Sequence, residues 1–135
     1  MPVDQSLVGR TFPPTAPYDV TEDSLAAFAA ATGTPYAAGG PGPATFPIVV
    51  AFAAMHELML DPEVGIELHH VVHGDQRFVH ARPVVAGDRL TARLTVDGLR
   101  QIGGADIIAT TSAITDADGA LVCTAGATLV HKAGA

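Results

Sequence analysis

The histidines form the densest group of side chains in this chain that could do chemistry. His69, His70 and His73 fall within five residues, and His56 stands next to Glu57 further upstream. Imidazole binds transition metals and transfers protons near neutral pH, and a neighbouring carboxylate can act as a base or orient the ring. The first group therefore suggests a metal site, and the pair suggests acid–base chemistry.

The spacing of these residues argues against both sites. The residues from His69 onward alternate as in a β-strand, where His69 and His73 would stand about 13 Å apart at roughly 3.3 Å per residue. That distance is too long for both rings to bind one ion. His56 and Glu57 are neighbours on a predicted helix and point about 100° apart. We therefore expect no metal site, and we assign no catalytic residue.

The composition restricts the class of protein. The chain has 135 residues, of which 48% are hydrophobic and 16% charged, as expected for a single folded domain over residues 1–135. The formal net charge is −7 and the one lysine is Lys132, which argues against nucleic acid or an anionic membrane as a partner. The one cysteine, Cys123, excludes an internal disulfide, and the N-terminal residues lack a secretory pattern. We expect a cytoplasmic protein.

The longest apolar stretch predicts the central element. Phe46 to Met55 contains no charged side chain, Thr45 can cap a helix, and Asp61-Pro62 can end it. At about fifteen residues the stretch is too short to span a membrane, which takes roughly twenty. We expect a core helix over about residues 46–60, covered on most sides.

The remaining patterns predict strands around that helix. A short edge strand at 17–20 and a helix from Thr21 to Gly33 come first, and alternation from His69 onward predicts an antiparallel meander. Gly74 indicates a bend or bulge, Asp97-Gly98 and Gly103-Gly104 bracket one turn region, and a hairpin turn is expected at 118–119. The fold class is α+β, with a curved antiparallel sheet around one long helix.

Three groups of residues follow one another along the chain as motifs: Val8–Arg10 with Pro17–Val20, His73–Phe78, and Arg82–Val84 with Gly87–Leu90. They resemble motifs of the MaoC-like hydratase/dehydratase family, and within it the small actinobacterial single-hot-dog proteins related to (3R)-hydroxyacyl-ACP dehydratase subunits. The resemblance implies a hot-dog fold and, for active members, addition of water to a trans-2-enoyl thioester on CoA or acyl carrier protein without a cofactor.

The chain departs from that family at the catalytic motif. Active members take an Asp and a His from Gly-Asp-x-Asn-Pro-x-His directly after the first helix. Here Thr32 to Tyr36 reads TGTPY, and no acidic or basic residue lies between Asp23 and His56. The segment that normally follows is reduced to residues 37–43. In heterodimeric members one subunit keeps the dyad and the other shapes the acyl channel, and this chain resembles the second kind.

We assign substrate contacts to Tyr36, Phe46, His73, Gly74 and Arg82. Tyr36 lies in the shortened loop, and His73-Gly74 resembles an oxyanion-hole His-Gly pair, although a bulge at Gly74 explains the glycine equally well. Arg82 can attract the phosphate of an acyl carrier, or it can be an ordinary solvated arginine at the end of a strand.

The exposed edge of the predicted sheet favours pairing with another chain. We expect a homodimer, or a heterodimer with a dyad-bearing hot-dog subunit, that takes acyl-CoA or acyl-ACP. Two alternatives stay open. One is a homodimer that binds an acyl thioester or small apolar ligand without chemistry. The other is a thioesterase or hydratase that uses His56, Glu57 or the histidines from His69 to His73.

Overall fold

Two helices and a five-stranded antiparallel sheet make up the fold. The structure is a computed structural model and describes residues 3–132, so both ends of the predicted domain, residues 1 and 135, lie outside the described range. No helix in that range is long and apolar enough to cross a membrane. The elements are β1 (Tyr18–Asp19), α1 (Glu22–Thr32), α2 (Ile48–Met59), β2 (Val71–His80), β3 (Arg89–Ile102), β4 (Ala105–Thr115) and β5 (Leu121–Lys132), with 3-10 turns at Gln5–Leu7 and Leu68–His70.

The strand order in the sheet is β1-β3-β4-β5-β2, with every pair antiparallel. The last three strands, β3, β4 and β5, form the predicted meander. β2 precedes β3 in the chain but does not pair with it. It pairs instead with β5 and is therefore a long strand at the edge of the sheet. The helix α2 packs across the concave face, against β3 and β4.

The β3–β4 connection is tighter than the sequence patterns predicted. Gly103 and Gly104 make the turn, with φ of 58° and 81°. Two successive positive φ values suit a two-residue hairpin turn, and glycine reaches them without strain. The predicted turn region, bracketed by 97–98 and 103–104, is too long, because β3 continues through its first part with a shift of register between Val96 and Gly98. A bulge keeps the strand paired there.

The start of α2 differs from the prediction. Pro47 occupies the N-cap position, and no side chain caps the helix, so Thr45 does not have the capping role. Instead, the carbonyl groups of Thr45 and Phe46 accept hydrogen bonds from the N–H groups of Ile48 and Val49, each at 3.1 Å. These i to i+3 bonds tighten the first turn and leave little for a side-chain cap to satisfy.

The helix α2 is covered on one side only, and the expectation of cover on most sides is wrong for the single chain. Val50, Ala54 and Leu58 are buried against the sheet. On the opposite side Phe52 is 43% exposed, and Ala53, His56 and Glu57 are exposed as well. An apolar helix with an open face is typical of an element that another chain covers.

Two further strand predictions need correction. His69 and His70 belong to the 3-10 turn, and β2 begins at Val71. The two-residue spacing of Leu121 with Cys123 and Ala125 predicts that Leu121 is buried, but it is 48% exposed, because the register of β5 against β4 shifts between Leu121 and Cys123.

Candidate functional site

An apolar groove of about 570 Å³ lies between the open side of α2 and the edge strand β2. It is lined by aromatic and aliphatic side chains from both helices, and by a row of polar side chains from β2. Small-molecule sites are usually apolar concavities with a few placed polar groups, so this groove is the candidate site. Its lining is Phe28, Ala44, Thr45, Ile48, Phe52, His73, Gln76, Arg77, Phe78 and His80.

A bulge at Gly74 places the polar row on one face. His73 pairs with Leu129 and Asp75 pairs with Thr128, so Gly74 is the extra residue on β2. In a regular strand His73 and Gln76, three residues apart, would point to opposite faces. The bulge shifts the alternation by one residue, and His73, Gln76, Phe78 and His80 then all lie opposite residues of the buried face of β5.

The polar groups of the groove are held by short contacts. His73 Nε2 lies 3.0 Å from the side-chain oxygen of Gln76, and its ring meets Phe52 edge to face with centroids 5.5 Å apart. His80 Nε2 donates to the carbonyl oxygen of Ala44 at 2.8 Å, which joins β2 to the loop before α2. Among the described residues that line the groove none is a carboxylate. An imidazole next to an amide lacks the acidic partner that usually orients a catalytic histidine.

The predicted contacts in the loop between the helices lie outside the groove. Phe46 is buried to 1% exposure, with its ring centroid 5.3 Å from that of Phe28. It therefore supports a wall that Phe28 presents. The Tyr36 hydroxyl donates to the Glu22 carboxylate, and this hydrogen bond raises the pKa of the phenol. The same carboxylate accepts the backbone N–H of Gly39, so Tyr36 helps to fasten the loop onto α1.

The predicted phosphate contact, Arg82, is held by two carboxylates. Its guanidinium donates to Asp88 at 2.9 Å and to Asp116 at 3.2 Å. The bond to Asp88 is the main reason that the pKa of Arg82 is raised. Arg82 also borders a smaller groove of about 370 Å³, shared with Gly42 and His80. Because two carboxylates pair with this one cation, the group offers no net positive charge to a phosphate.

The other chemical candidates are dispersed. His56 and Glu57 border a separate cleft of about 510 Å³ near the end of α2, where Arg10 pairs with Asp61. His73 faces the apolar groove and His69 lies in the turn before β2. The structure therefore does not bring the histidines and Glu57 into one constellation within the described residues.

Sequence reasoning missed several residues that line the groove, above all Phe52, Gln76 and His80. Ile48 and Phe52 are four residues apart on α2 and therefore share a face. Gln76, Phe78 and His80 have the two-residue spacing of a strand face. Both patterns were visible in the sequence. The sequence did not show that this face of α2 meets this face of β2, or that the bulge at Gly74 adds His73 to the face of β2.

The comparisons with known proteins agree with this architecture. The family model for the FAS1-like dehydratase domain region matches residues 6–125. A UPF0336 protein of Leifsonia xyli is 43% identical over 145 aligned positions, covering 98% of this chain and 97% of the relative. Because this chain has 135 residues, at least ten positions of that alignment have no counterpart here.

Solved structures show the same fold. The crystal structure of the C-terminally truncated HadBC (3R-hydroxyacyl-ACP dehydratase) complex from Mycobacterium tuberculosis contains a chain that superposes with a TM-score of 0.79 at 30% identity, covering 92% of this chain and 96% of that one. A MaoC-like dehydratase superposes with a TM-score of 0.76 at 26% identity, covering 94% of this chain and 42% of its own length. The chain therefore belongs to the FAS1-like dehydratase-region family, and it has the MaoC-like hot-dog fold that its motifs predicted.

Proposed function

We propose that this chain is the non-catalytic subunit of a (3R)-hydroxyacyl-thioester dehydratase, and that it shapes the acyl site of a dyad-bearing partner. It would work as a single domain in the cytoplasm, on acyl chains carried by CoA or acyl carrier protein. The observation that carries the proposal is the groove beside α2, which offers apolar walls and two histidines but no carboxylate.

The chemistry of the reaction supports a non-catalytic role. Adding water to an enoyl thioester requires one group that activates water and another that moves a proton at the α-carbon. Residues 24–55, which include the position of the family's dyad, contain no charged side chain and no histidine. His73 is paired with Gln76, a neutral amide that neither takes up nor releases a proton in the working pH range. The groove alone therefore lacks half of the required machinery.

The walls of the groove suit an acyl chain. Phe28, Ile48, Phe52 and Phe78 present ring and methyl groups along it. Each methylene group transferred from water to such a surface contributes about 0.8 kcal/mol. The groove is lined by β2, which is an edge strand of the sheet, so a second subunit paired at that edge would lie beside the groove and could supply the missing acid and base.

The edge itself suits a partner chain. Val72 and Val79 are 64% and 68% exposed on the outer face of β2. An exposed edge strand pairs readily with another chain where charges or prolines do not protect it, and the exposed charges of β2, Asp75 and Arg77, pair with each other. The similar Mycobacterium tuberculosis protein is part of a complex, which supports a subunit role here. The partner is either a second copy or, as we favour, a dyad-bearing hot-dog subunit.

Hydration of crotonyl-CoA tests the proposal. The loss of enoyl absorbance would be followed for this chain alone, for an intact-motif hot-dog subunit of the same organism alone, and for the two co-expressed. We expect turnover in the co-expressed complex to exceed that of either chain alone. Turnover by this chain alone that is lost in His73→Ala would contradict the proposal and favour an atypical active site.

A second candidate is a homodimer that holds an acyl thioester without chemistry, and it is favoured by one observation. The groove exists in the single chain, with its polar row already ordered by the contacts of His73 and His80. Calorimetric titration of the chain alone with saturated acyl-CoA separates the two candidates. Tight binding of acyl-CoA by the chain alone, together with inactivity in every mixture, favours the binding protein. Weak binding that becomes tighter in the complex with the dyad-bearing chain favours the non-catalytic subunit.

A further inference from the structure

The turn before β2 brings three metal-binding side chains together. Glu67, His69 and His70 each offer one ligand atom, and these atoms all lie within 4.8 Å of one another. The 3-10 turn at Leu68–His70 explains the grouping, because residues three apart lie almost above one another in a 3-10 helix. This places Glu67 beside His70, and the rings of His69 and His70 have centroids 4.1 Å apart.

The backbone of the turn is anchored to the core. The N–H of His70 donates to the carbonyl oxygen of Glu67 at 2.8 Å. The N–H of Glu67 donates to Nε2 of His131 at 3.0 Å, and His131 is fully buried in β5. Side chains on a fixed backbone lose less conformational entropy on binding than those on a free loop. The grouping is therefore partly organised in advance.

One atom in this group has no hydrogen-bond partner. Nδ1 of His70 is buried and makes no hydrogen bond with any residue that the structure describes. The Glu67 carboxylate approaches it to 3.2 Å, but the geometry is not that of a hydrogen bond. A buried polar nitrogen without a hydrogen-bond partner is unfavourable, because it has lost its hydrogen bonds to water and gained none in the protein. A bound cation would use its lone pair.

We propose that Glu67, His69 and His70 bind one Zn²⁺ or a similar divalent transition-metal ion. Imidazole and carboxylate are common zinc ligands, with bonds of about 2.0–2.2 Å, so two ligand atoms of a tetrahedral site stand about 3.4 Å apart. The 3.2 Å between the Glu67 carboxylate and His70 Nδ1 matches that separation. His69 is exposed and closes the site by a rotation of its side chain. Water would complete the coordination.

The proposed metal site is separate from the groove and does not rest on the proposed function. Its ligands include none of the side chains that line the groove, although His73 follows His70 by three residues on the same stretch of chain. A metal here would fix the turn from which the edge strand β2 begins.

Zinc binding by the untagged, chelator-treated protein tests the inference. The chain would be titrated with Zn²⁺ by calorimetry. In a second experiment it would compete for Zn²⁺ with a chromophoric chelator, which gives the affinity. We expect one equivalent per chain. Loss of an outer partner of a metal ligand already costs about 10- to 100-fold in affinity, so His69→Ala, His70→Ala and Glu67→Gln should each weaken binding by about 100-fold. His56→Ala, an exposed histidine on α2, is the matched control and should bind as the original protein does.

Histidine ring resonances give a second readout that does not depend on affinity. One equivalent of Zn²⁺ should shift the signals of His69 and His70 and leave that of His56 in place. Circular dichroism would confirm that each variant is folded. If His70→Ala does not fold, the His69→Ala variant still tests the site, because His69 is exposed. Absence of stoichiometric uptake, or equal affinity in His69→Ala and His56→Ala, would overturn the proposal.

Discussion

Asp106 and His131 face each other on neighbouring strands in the core, with Oδ2 of the carboxylate 3.1 Å from Nδ1 of the ring. Their side chains are 2% and 0% exposed. The same carboxylate accepts hydrogen bonds from the Val3 N–H and from Gln101. The other ring nitrogen accepts the N–H of Glu67. One buried pair thus joins the N-terminal segment, the end of β3 and the turn before β2.

Removal of the buried carboxylate should destabilise the fold strongly. In Asp106→Ala, His131 and the N–H of Val3 lose their acceptor inside the core. Leaving a buried hydrogen-bond donor without an acceptor costs about 1–3 kcal/mol, and Asp106→Ala leaves at least two such donors. We expect a loss of about 3 kcal/mol in urea unfolding followed by circular dichroism. Asp97→Ala, which removes an exposed carboxylate that binds Thr111, should cost less than about 1 kcal/mol. Equal losses in the two variants would contradict a structural role for the pair.

A charge on the free edge of β2 should prevent pairing with another chain. Val79 is 68% exposed and outward-facing, so Val79→Lys should leave the fold intact. Lysine on an edge strand opposes strand addition. Light scattering should show the original chain as a dimer or in complex with its partner, and the variant as a monomer. Ile102→Lys is the control, since Ile102 is 52% exposed at the end of β3, on another part of the sheet. If Val79→Lys stays associated, or if Ile102→Lys dissociates to the same extent, the interface is not specific to the β2 edge.

A larger side chain in the groove should shorten the acyl chain that the complex accepts. Ile48 lies in the groove wall and is only partly buried, so Ile48→Trp would fill space that the ligand needs. In the active complex we expect kcat/KM for an eight-carbon enoyl thioester to fall at least about tenfold relative to crotonyl-CoA. Ala27→Trp adds the same side chain on the exposed face of α1 and should leave that ratio unchanged. An unchanged ratio in Ile48→Trp would place the acyl chain outside this groove.

The turn between β4 and β5 should contribute stability that depends on acid pH. The backbone N–H of Ala120 donates to the Asp116 carboxylate and lowers its pKa below the ordinary 3.8, with help from Arg82. A depressed carboxylate pKa contributes stability above the unfolded value, and this contribution disappears as the pH falls through the folded value. Asp116→Asn should therefore be less stable than the original protein at pH 7.

Urea midpoints measured from pH 7 down to about pH 3 would check this prediction. The difference between Asp116→Asn and the original protein should shrink as the pH falls. Asp118→Asn removes a carboxylate from the same turn and leaves the hydrogen bonds to Asp116 in place. The difference in urea midpoint between this variant and the original protein should change less with pH. Parallel curves for Asp116→Asn and the original protein would show that the ionised Asp116 has no such role.

Local patterns in the sequence were sufficient for most of the elements. Thr21 and Gly33 bound α1 as predicted, because a capping hydroxyl and a residue that accepts positive φ act within one turn of chain. Alternation over Leu90–Val96 predicted the buried face of β3, since side chains alternate across any strand. The motifs of the hot-dog family were also read correctly, and so was the fold class.

What the tertiary structure decided were the relations between elements. The sequence placed His73 on a strand, but only the bulge and the pairing with β5 show that it shares a face with Gln76 and His80 and meets Phe52 of α2. Likewise, Glu67 and His70 come together only because a 3-10 turn, anchored by buried His131, replaces the start of the strand expected from His69 onward. Local propensities act over a few residues. Which faces meet depends instead on packing between residues far apart in the chain, and no local pattern records that.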